Sequence, residues 1–307
     1  MKKENKMLRI SKEYVVDSLD KNHKPVASCQ SGDTVVFETR DCYDDAVTSV
    51  ERPLGDRPQS ECLENPATGP LYIEGACAGD VLKVEILDIT LRGWGIMRSS
   101  TSAGVFHEKF EDRQAKIFQF DGNKVVFDDQ LTLELDTMIG VIGTAPKGDG
   151  ISTETPDSHG GNMDCRKIVK DSILYLPVNV DGALLAMGDL HALMGDGEVM
   201  ICGLETGGEV TVKVTVLKDA KLPTPFLYCR GDVMSIQSAL TLDEAGDMAA
   251  KAMEEYVEDA TGLGTLEASM LMSLVSNMVV CQVVDPLKTV RVEFPVDVLE
   301  KYGHQLP

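Results

Sequence analysis

Hydrophobic and polar positions alternate with period two along most of this chain, and the alternation is confined to short runs. Residues 34–40 (TVVFETR), 70–74, 81–90, 115–120, 124–127, 131–135, 138–145, 209–216, 279–284 and 289–294 each read as a strand, because successive side chains of an extended backbone point to opposite faces. Asp121-Gly-Asn between two of these runs is a hairpin turn. In 81–90 the apolar parity shifts between Ile86 and Leu87, as a bulge or burial on both faces would require. The runs 173–180 and 183–187 are apolar throughout and read as buried strands ending in polar clusters.

The period changes to 3.6 only late in the chain. Thr241-Leu-Asp-Glu244 is a capping box, and the following stretch places Ala245, Met248, Ala249, Ala252, Met253, Tyr256 and Val257 on one helical face. Gly262 and Gly264 end it. A second helix is expected over 266–278, with Met270, Leu271, Leu274 and Met278 turned inward as core filler. Strands first and helices last, with no βαβ alternation, point to a mainly β fold: an antiparallel β-sandwich or barrel-like body with a smaller α+β part carrying two late helices. The expected division is a β body over 1–225 and an α+β segment over 226–307. Residues 51–69 are an ordered turn-rich loop, and 94–105, rich in Ser and Gly, is a mobile loop over the site.

Charge narrows the partners. Lys plus Arg is 29 and Asp plus Glu is 50, a net charge of −21. Such a surface repels phosphate backbones and anionic lipids, so nucleic acid and membrane are excluded as partners, whereas a small neutral molecule meets no barrier. The first ten residues lack the apolar core of a signal peptide, and the eight cysteines are scattered without a C-x-x-C. Reduced, buried thiols and a cytoplasmic location follow as expectations.

The chemistry concentrates in 157–206, which holds His159 and His191, two of the five histidines. In a strand, Asp189 and His191 share a face, so both can grip one ion. His159 follows a polar loop and precedes two glycines that permit close backbone approach to a ligand. Asp164 is a ligand or orients one. Glu198 and Glu205 flank the next strand, and one of them is a candidate general base. Histidine with carboxylates suits zinc, and carboxylates with carbonyls suit calcium. Cys165 is the rival nucleophile.

HGGNMD from His159, LPV from Leu176, GAL from Gly182, GDLHA from Gly188, GDGE from Gly195 and NPATGPLYIEG from Asn65 together resemble the acetamidase/formamidase family over about 34–295. The resemblance implies hydrolysis of a short aliphatic amide, acetamide or formamide in type, to its carboxylate and ammonia. It also carries over Asp41, after the first long strand. The expected site is therefore Asp41, His159, Asp189 and His191 on a divalent metal, zinc or else calcium, with Glu205, Asp164 and Glu198 as catalytic carboxylates and a homodimer as the assembly. The rival readings are a non-enzymatic cation-binding β-sandwich and a Cys165 amidohydrolase.

Overall fold

The protein was analysed as a computed structural model that describes residues 7–46 and 61–307. The part of the turn-rich loop at 51–60 lies outside the described residues. The architecture is mainly β. A nine-stranded sheet runs from edge to edge as β1 (Leu8–Ile10), β5 (Thr34–Thr39), β18 (Gly208–Leu217), β7 (Val81–Leu91), β15 (Ile173–Pro177), β19 (Phe226–Cys229), β20 (Asp232–Ala239), β22 (Lys288–Pro295) and β21 (Asn277–Gln282).

A second sheet runs β11 (Thr132–Glu134), β10 (Lys124–Val126), β9 (Ala115–Asp121), β8 (Trp94–Arg98), β17 (Glu205–Thr206), β16 (Leu185–His191), β12 (Met138–Gly143) and β14 (Gly160–Asn162). From β16 it branches through β6 (Ala67–Glu74) to β2 (Val15–Val16) and β4 (Ala27–Gln30). A small ladder joins β3 (Ser18–Leu19) to β13 (Ile151–Ser152). Pairing is antiparallel except where the first thirty residues add β1 to β5 and β4 to β6 in parallel. Neither sheet closes into a barrel.

Two cores follow from the alternation. Val210, Val212 and Val214 of β18 are fully buried while Thr211, Lys213 and Thr215 between them are half-exposed. That apolar face, with Val35, Phe37, Leu82 and Val84, meets Leu71, Ile73, Ile139, Ile142, Leu185 and Leu190 of the second sheet. The opposite face of the first sheet, at its β15–β22 end, packs Tyr175, Phe226, Val233, Val292 and Phe294 against the helical layer. Each such large apolar side chain, fully buried, stabilises the fold by roughly 1.5–3 kcal/mol before conformational entropy is counted. In β12 and β16 every residue is buried, which is why they read as continuous apolar runs. The parity shift in β7 is a bulge: Thr211 pairs Asp88 but Val212 pairs Ile86, leaving Leu87 outward.

The helical layer is α1 (Leu242–Thr261), α2 (Thr265–Val275) and α3 (Val296–Lys301). Thr241 accepts the Glu244 amide at 3.2 Å, and Gly262 closes α1 in a left-handed turn. Ala245, Ala249, Met253, Tyr256 and Val257 are buried as expected, but Met248 is exposed. The second helix departs further, since it buries Ala268 and Met272 and leaves Met270, Leu274 and the following Met278 in solvent. Of the four side chains expected inward, Leu271 alone packs against this core, half-buried beside Ala268 and Met272. The segment from Trp94 is not loop but strand to Arg98, because Ile96 is held between β17 and β9. The loop follows it.

His159 sits at the corner where β12 meets β14. Its carbonyl accepts the Thr144 amide at 3.1 Å, its ring is 1% exposed, and neither ring nitrogen has a hydrogen-bond partner. Burial pushes its pKa down to about 4, against a small opposing pull from Asp157. An unfolded histidine binds its proton near 6.5, so stability is full above that value and falls as pH drops towards 4. The histidine accounts for about 1 kcal/mol of loss between pH 7.5 and 5.5. Urea unfolding of wild type and His159→Gln at both pH values should show the wild type losing more stability, by about that amount. An equal loss in both proteins contradicts a buried neutral imidazole.

Candidate active site

The site is assembled where β16 ends. His191 and Glu205 are a direct cross-strand pair, and Glu205 in turn faces Ile96 on β8. The His191 Nε2 atom stands 3.0 Å from Glu205 Oε1, 3.3 Å from Asp189 Oδ1, 3.8 Å from Asp164 Oδ1 and 3.9 Å from Glu198 Oε1. Asp285, from the turn between β21 and β22, joins them by a contact with Asp164. All six side chains are sequestered from solvent, so one imidazole lies among five carboxyl groups.

Backbone geometry makes the crowding feasible. Asp164, Asp189 and Glu198 all adopt left-handed backbone conformations, with φ of 43°, 56° and 48°. Non-glycine residues hold such angles only where the surrounding structure over-determines them. Glycine supplies the remaining room. A Cβ on Gly140 would lie 2.5 Å from both Asp164 Oδ1 and Asp189 Oδ2, and one on Gly203 would lie 2.6 Å from the His191 ring. Asn65 Nδ2 donates to Asp189 Oδ2 at 3.3 Å, and Asn162 Nδ2 donates to Asp285 Oδ2 at 3.1 Å.

The electrostatics follow from burial and mutual repulsion. Burial raises Asp164 to about 6, reinforced by Asp189, and raises Glu205 to about 8 despite the pull of His191. Glu198 and Asp285 rise well above the carboxylate range, from burial first and then from Asp164. Burial opposes charge on Asp189 and His191 too, but their mutual contact outweighs it. Asp189 is held low, and Glu205 with Asp189 holds His191 well above its usual value. One protein cation therefore faces an excess of acid.

Whether the cluster fits a metal can be tested on its own atoms. Asp164 Oδ1, Asp189 Oδ1, Glu198 Oε2 and Glu205 Oε2 are buried without hydrogen-bond partners. Asp164, His191 and Glu198 present donor atoms within 4.8 Å of one another, as do Cys42, Asp189 and Glu205. Orphaned oxygens, an imidazole and a thiol converging in this way form a donor set that fits a divalent cation.

A cavity of about 240 Å³ opens onto the cluster, lined by Asp189, Glu198 and Glu205 on one side. Arg98 and Tyr43 line it too, with the guanidinium stacked 3.9 Å from the tyrosine ring. Ser99 and Ser100 of the loop after β8 complete that wall.

The structure brings together Asp164, Asp189, His191, Glu198 and Glu205, and it leaves Asp41 and His159 apart. Both Asp41 oxygens are engaged: one pairs with Arg92, the other accepts the amides of Tyr43 and Asp45 at 3.0 and 2.9 Å. Asp41 thus shapes the turn that carries Cys42 and Tyr43 to the site. His159 lies beside Thr144, whereas His191 pairs Met138, so the two are separated by roughly 20 Å along β12. Sequence reasoning missed Cys42, Asn65, Arg98 and Asp285. The signal available for Asn65 was its place in the NPATGPLYIEG motif; Cys42 and Asp285 come from turns that no periodicity marks.

The chain as a whole is similar to known proteins. The sequence profile of the Acetamidase/Formamidase family matches residues 5–149 and 147–300. The chain is 27% identical over 246 residues to the formamidase of Methylophilus methylotrophus, covering 58% of this chain and 60% of that protein. It is 27% identical over 215 residues to the acetamidase of Mycolicibacterium smegmatis, covering 49% and 53%. The chain thus spans just over half the length of these curated relatives. Among solved structures, the acetamidase of Bacillus halodurans superposes with a TM-score of 0.93 at 47% identity, over 96% of this chain and 100% of that one. A predicted acetamidase/formamidase of Thermoanaerobacter tengcongensis gives 0.93 at 40% identity, over 98% and 99%. With the profile matched along nearly its whole length, this chain belongs to the acetamidase/formamidase family.

Proposed function

We propose that this protein hydrolyses a short aliphatic amide to its carboxylate and ammonia, and that a divalent cation, zinc foremost, is held by Asp164, Asp189, His191 and Glu198, with Glu205 beside it as general base. The observation that carries the reading is the convergence of buried, unpartnered carboxylate oxygens on His191 at the wall of a small cavity. At about 240 Å³ the cavity falls below the roughly 300–1,000 Å³ usual for drug-sized ligands, which suits a small neutral amide. The imidazole of His191 favours zinc over calcium, which prefers an all-oxygen shell.

Bound there, the cation supplies Lewis acidity towards the amide carbonyl and towards water. The protein's own groups do the rest. Burial raises Glu205 to about 8 in the cation-free site and a bound cation would pull it down, so a carboxylate at the cavity wall, hydrogen-bonded to His191, would be free to accept a proton as a general base. In this reading it takes the proton of the attacking water and passes it to the leaving nitrogen. Asn65 fixes Asp189, and the Arg98 guanidinium, which lines the same cavity, would donate to the acyl oxygen.

Two rival readings lose ground. Cys165 is fully buried against Cys281 and does not line the cavity, so it is poorly placed to attack a substrate. A purely structural cation site needs no adjoining cavity, and this one has it.

Ammonia release from formamide, acetamide and propionamide, before and after chelation, tests the proposal. Chelation should abolish turnover and added zinc should restore it; chelator-resistant turnover contradicts the cation. Cys165→Ser should retain most activity. Glu205→Gln should lower kcat by about 10²–10⁴-fold, the usual worth of a general base. Gly140→Ala pushes a methyl into two carboxylates, so metal content and activity should fall together while far-UV circular dichroism stays unchanged. Full metal content in Gly140→Ala would separate Asp164 and Asp189 from the ligand set.

A further inference from the structure

Two carboxamides stand among the acids of the cavity, and the metal reading uses only the nitrogen of one. Asn65, two residues before β6, sits on left-handed backbone with φ of 50°, its amide donating to Cys42 O at 3.0 Å. Gly188 makes room for that turn, since a Cβ there would collide with Pro66 O. Asn162 ends β14, paired with Val141 of β12. Both asparagines line the cavity.

Their nitrogens are tied back to the cluster. Asn65 Nδ2 donates to Asp189 Oδ2 at 3.3 Å, and Asn162 Nδ2 donates to Asp285 Oδ2 at 3.1 Å. An ionised, metal-holding carboxylate only accepts, so a carboxamide beside Asp189 must turn its nitrogen to it and its oxygen elsewhere. Asn65 Oδ1 and Asn162 Oδ1 are both buried, and neither has a hydrogen-bond partner among the described residues. Asn162 as a whole is only 5% exposed. A buried acceptor left unpaired is destabilising, and two of them at one cavity call for a donor from outside the chain.

The chemistry of the pair defines that donor. Two free acceptors match a group that offers two N–H bonds, which is the nitrogen end of an unsubstituted amide. Charge orients the molecule the same way. Glu64, Glu154 and Asp285 line the cavity with the two asparagines, so an electron-rich carbonyl oxygen is disfavoured beside them and an electropositive N–H is favoured. A carboxylate at either asparagine position would also accept N–H, but it would add charge to a cluster already rich in acid. A carboxamide accepts without that cost.

Resting on the amide-hydrolysis reading above, we propose that Asn65 Oδ1 and Asn162 Oδ1 together bind the substrate's NH2 group and so restrict the site to primary amides. When water adds to the carbonyl carbon, both N–H bonds stay held, and the nitrogen lone pair is the position left for the proton that Glu205 passes on. The carbon–nitrogen bond then breaks with its electron pair on nitrogen, releasing ammonia and the acid. An N-alkyl amide sets carbon against one oxygen and leaves that acceptor unpaired.

The ratio of kcat/KM for acetamide over N-methylacetamide, read by acetate release, tests the subsite in wild type, Asn162→Ala and Asn65→Ala. Zinc content and circular dichroism are recorded alongside. Wild type should favour acetamide. Each variant removes one acceptor, so acetamide is left with an unpaired N–H, whereas N-methylacetamide turns its single N–H to the remaining oxygen and its methyl to the vacated space. The ratio should therefore narrow by roughly 5–150-fold, the worth of one buried unpaired group. A purely structural role would slow both substrates alike. Wild-type crystals soaked in acetamide should show its nitrogen within roughly 3.2 Å of both oxygens. Turnover with an unchanged ratio in both variants overturns the subsite and leaves hydrolysis standing, as does acetamide density with the nitrogen elsewhere and water or metal on these oxygens. A wild type that binds acetamide in the expected pose yet releases no acetate keeps the subsite and overturns hydrolysis instead.

Discussion

Five carboxyl groups around one imidazole cannot all be ionised in a water-poor site unless something cationic joins them. Taking a single carboxylate out of water costs several kcal/mol after relaxation, and each neighbouring carboxylate adds repulsion at short range. His191 offsets one charge. The remainder must be neutralised by protons, as the raised pKa values of Asp164 and Glu205 express, or by a metal ion. Much of the local architecture exists to hold this unfavourable group together. Three of its acids sit on left-handed backbone, and Gly140 and Gly203 leave out the side chains that would collide with it.

Rigidity comes from the sheet beneath. β12 and β16 are buried on both faces, so the floor of the site is part of the core rather than a surface appendage. The functional side chains are mostly on the turns and strand ends that this floor fixes, a common division of labour between scaffold and loops. Gln282 illustrates the coupling between layers. Its Oε1 accepts the amides of Val284 and Asp285, and its Nε2 donates to Leu287 O, which fixes the turn presenting Asp285. The same residue ends β21, so the last strand of the first sheet leads directly into the site.

The sequence was legible wherever period and burial coincide. The strands with one apolar face, the capped helix and the Asp189/His191 pair could all be read, since two residues apart on a strand means the same face. Three kinds of feature could not. Position along a strand is invisible to alternation, so His159 and His191 looked like partners although they stand at opposite ends of β12. Turn residues obey no period, and Cys42 and Asp285 reach the cluster from turns far apart in the chain. An apolar helical face shows only that something covers it. The spacing of Met270 and Leu274 on α2 predicts a core face, yet this chain's own core leaves both bare, as it does Met278 at the start of β21. The resemblance to the family identified Glu205 and Asp164 as worth attention, and geometry then supplied their neighbours.

The central claim is that the acidic cluster is a cation site. Anomalous X-ray diffraction from crystals grown with zinc, and separately with calcium, tests it most directly. The account predicts a strong peak within roughly 2.0–2.6 Å of His191 Nε2 and of oxygens from Asp164, Asp189 or Glu198, occupied by zinc in preference to calcium. Electron density in which these carboxyls bond to one another and to a protonated His191, with no anomalous peak at saturating metal, would contradict it.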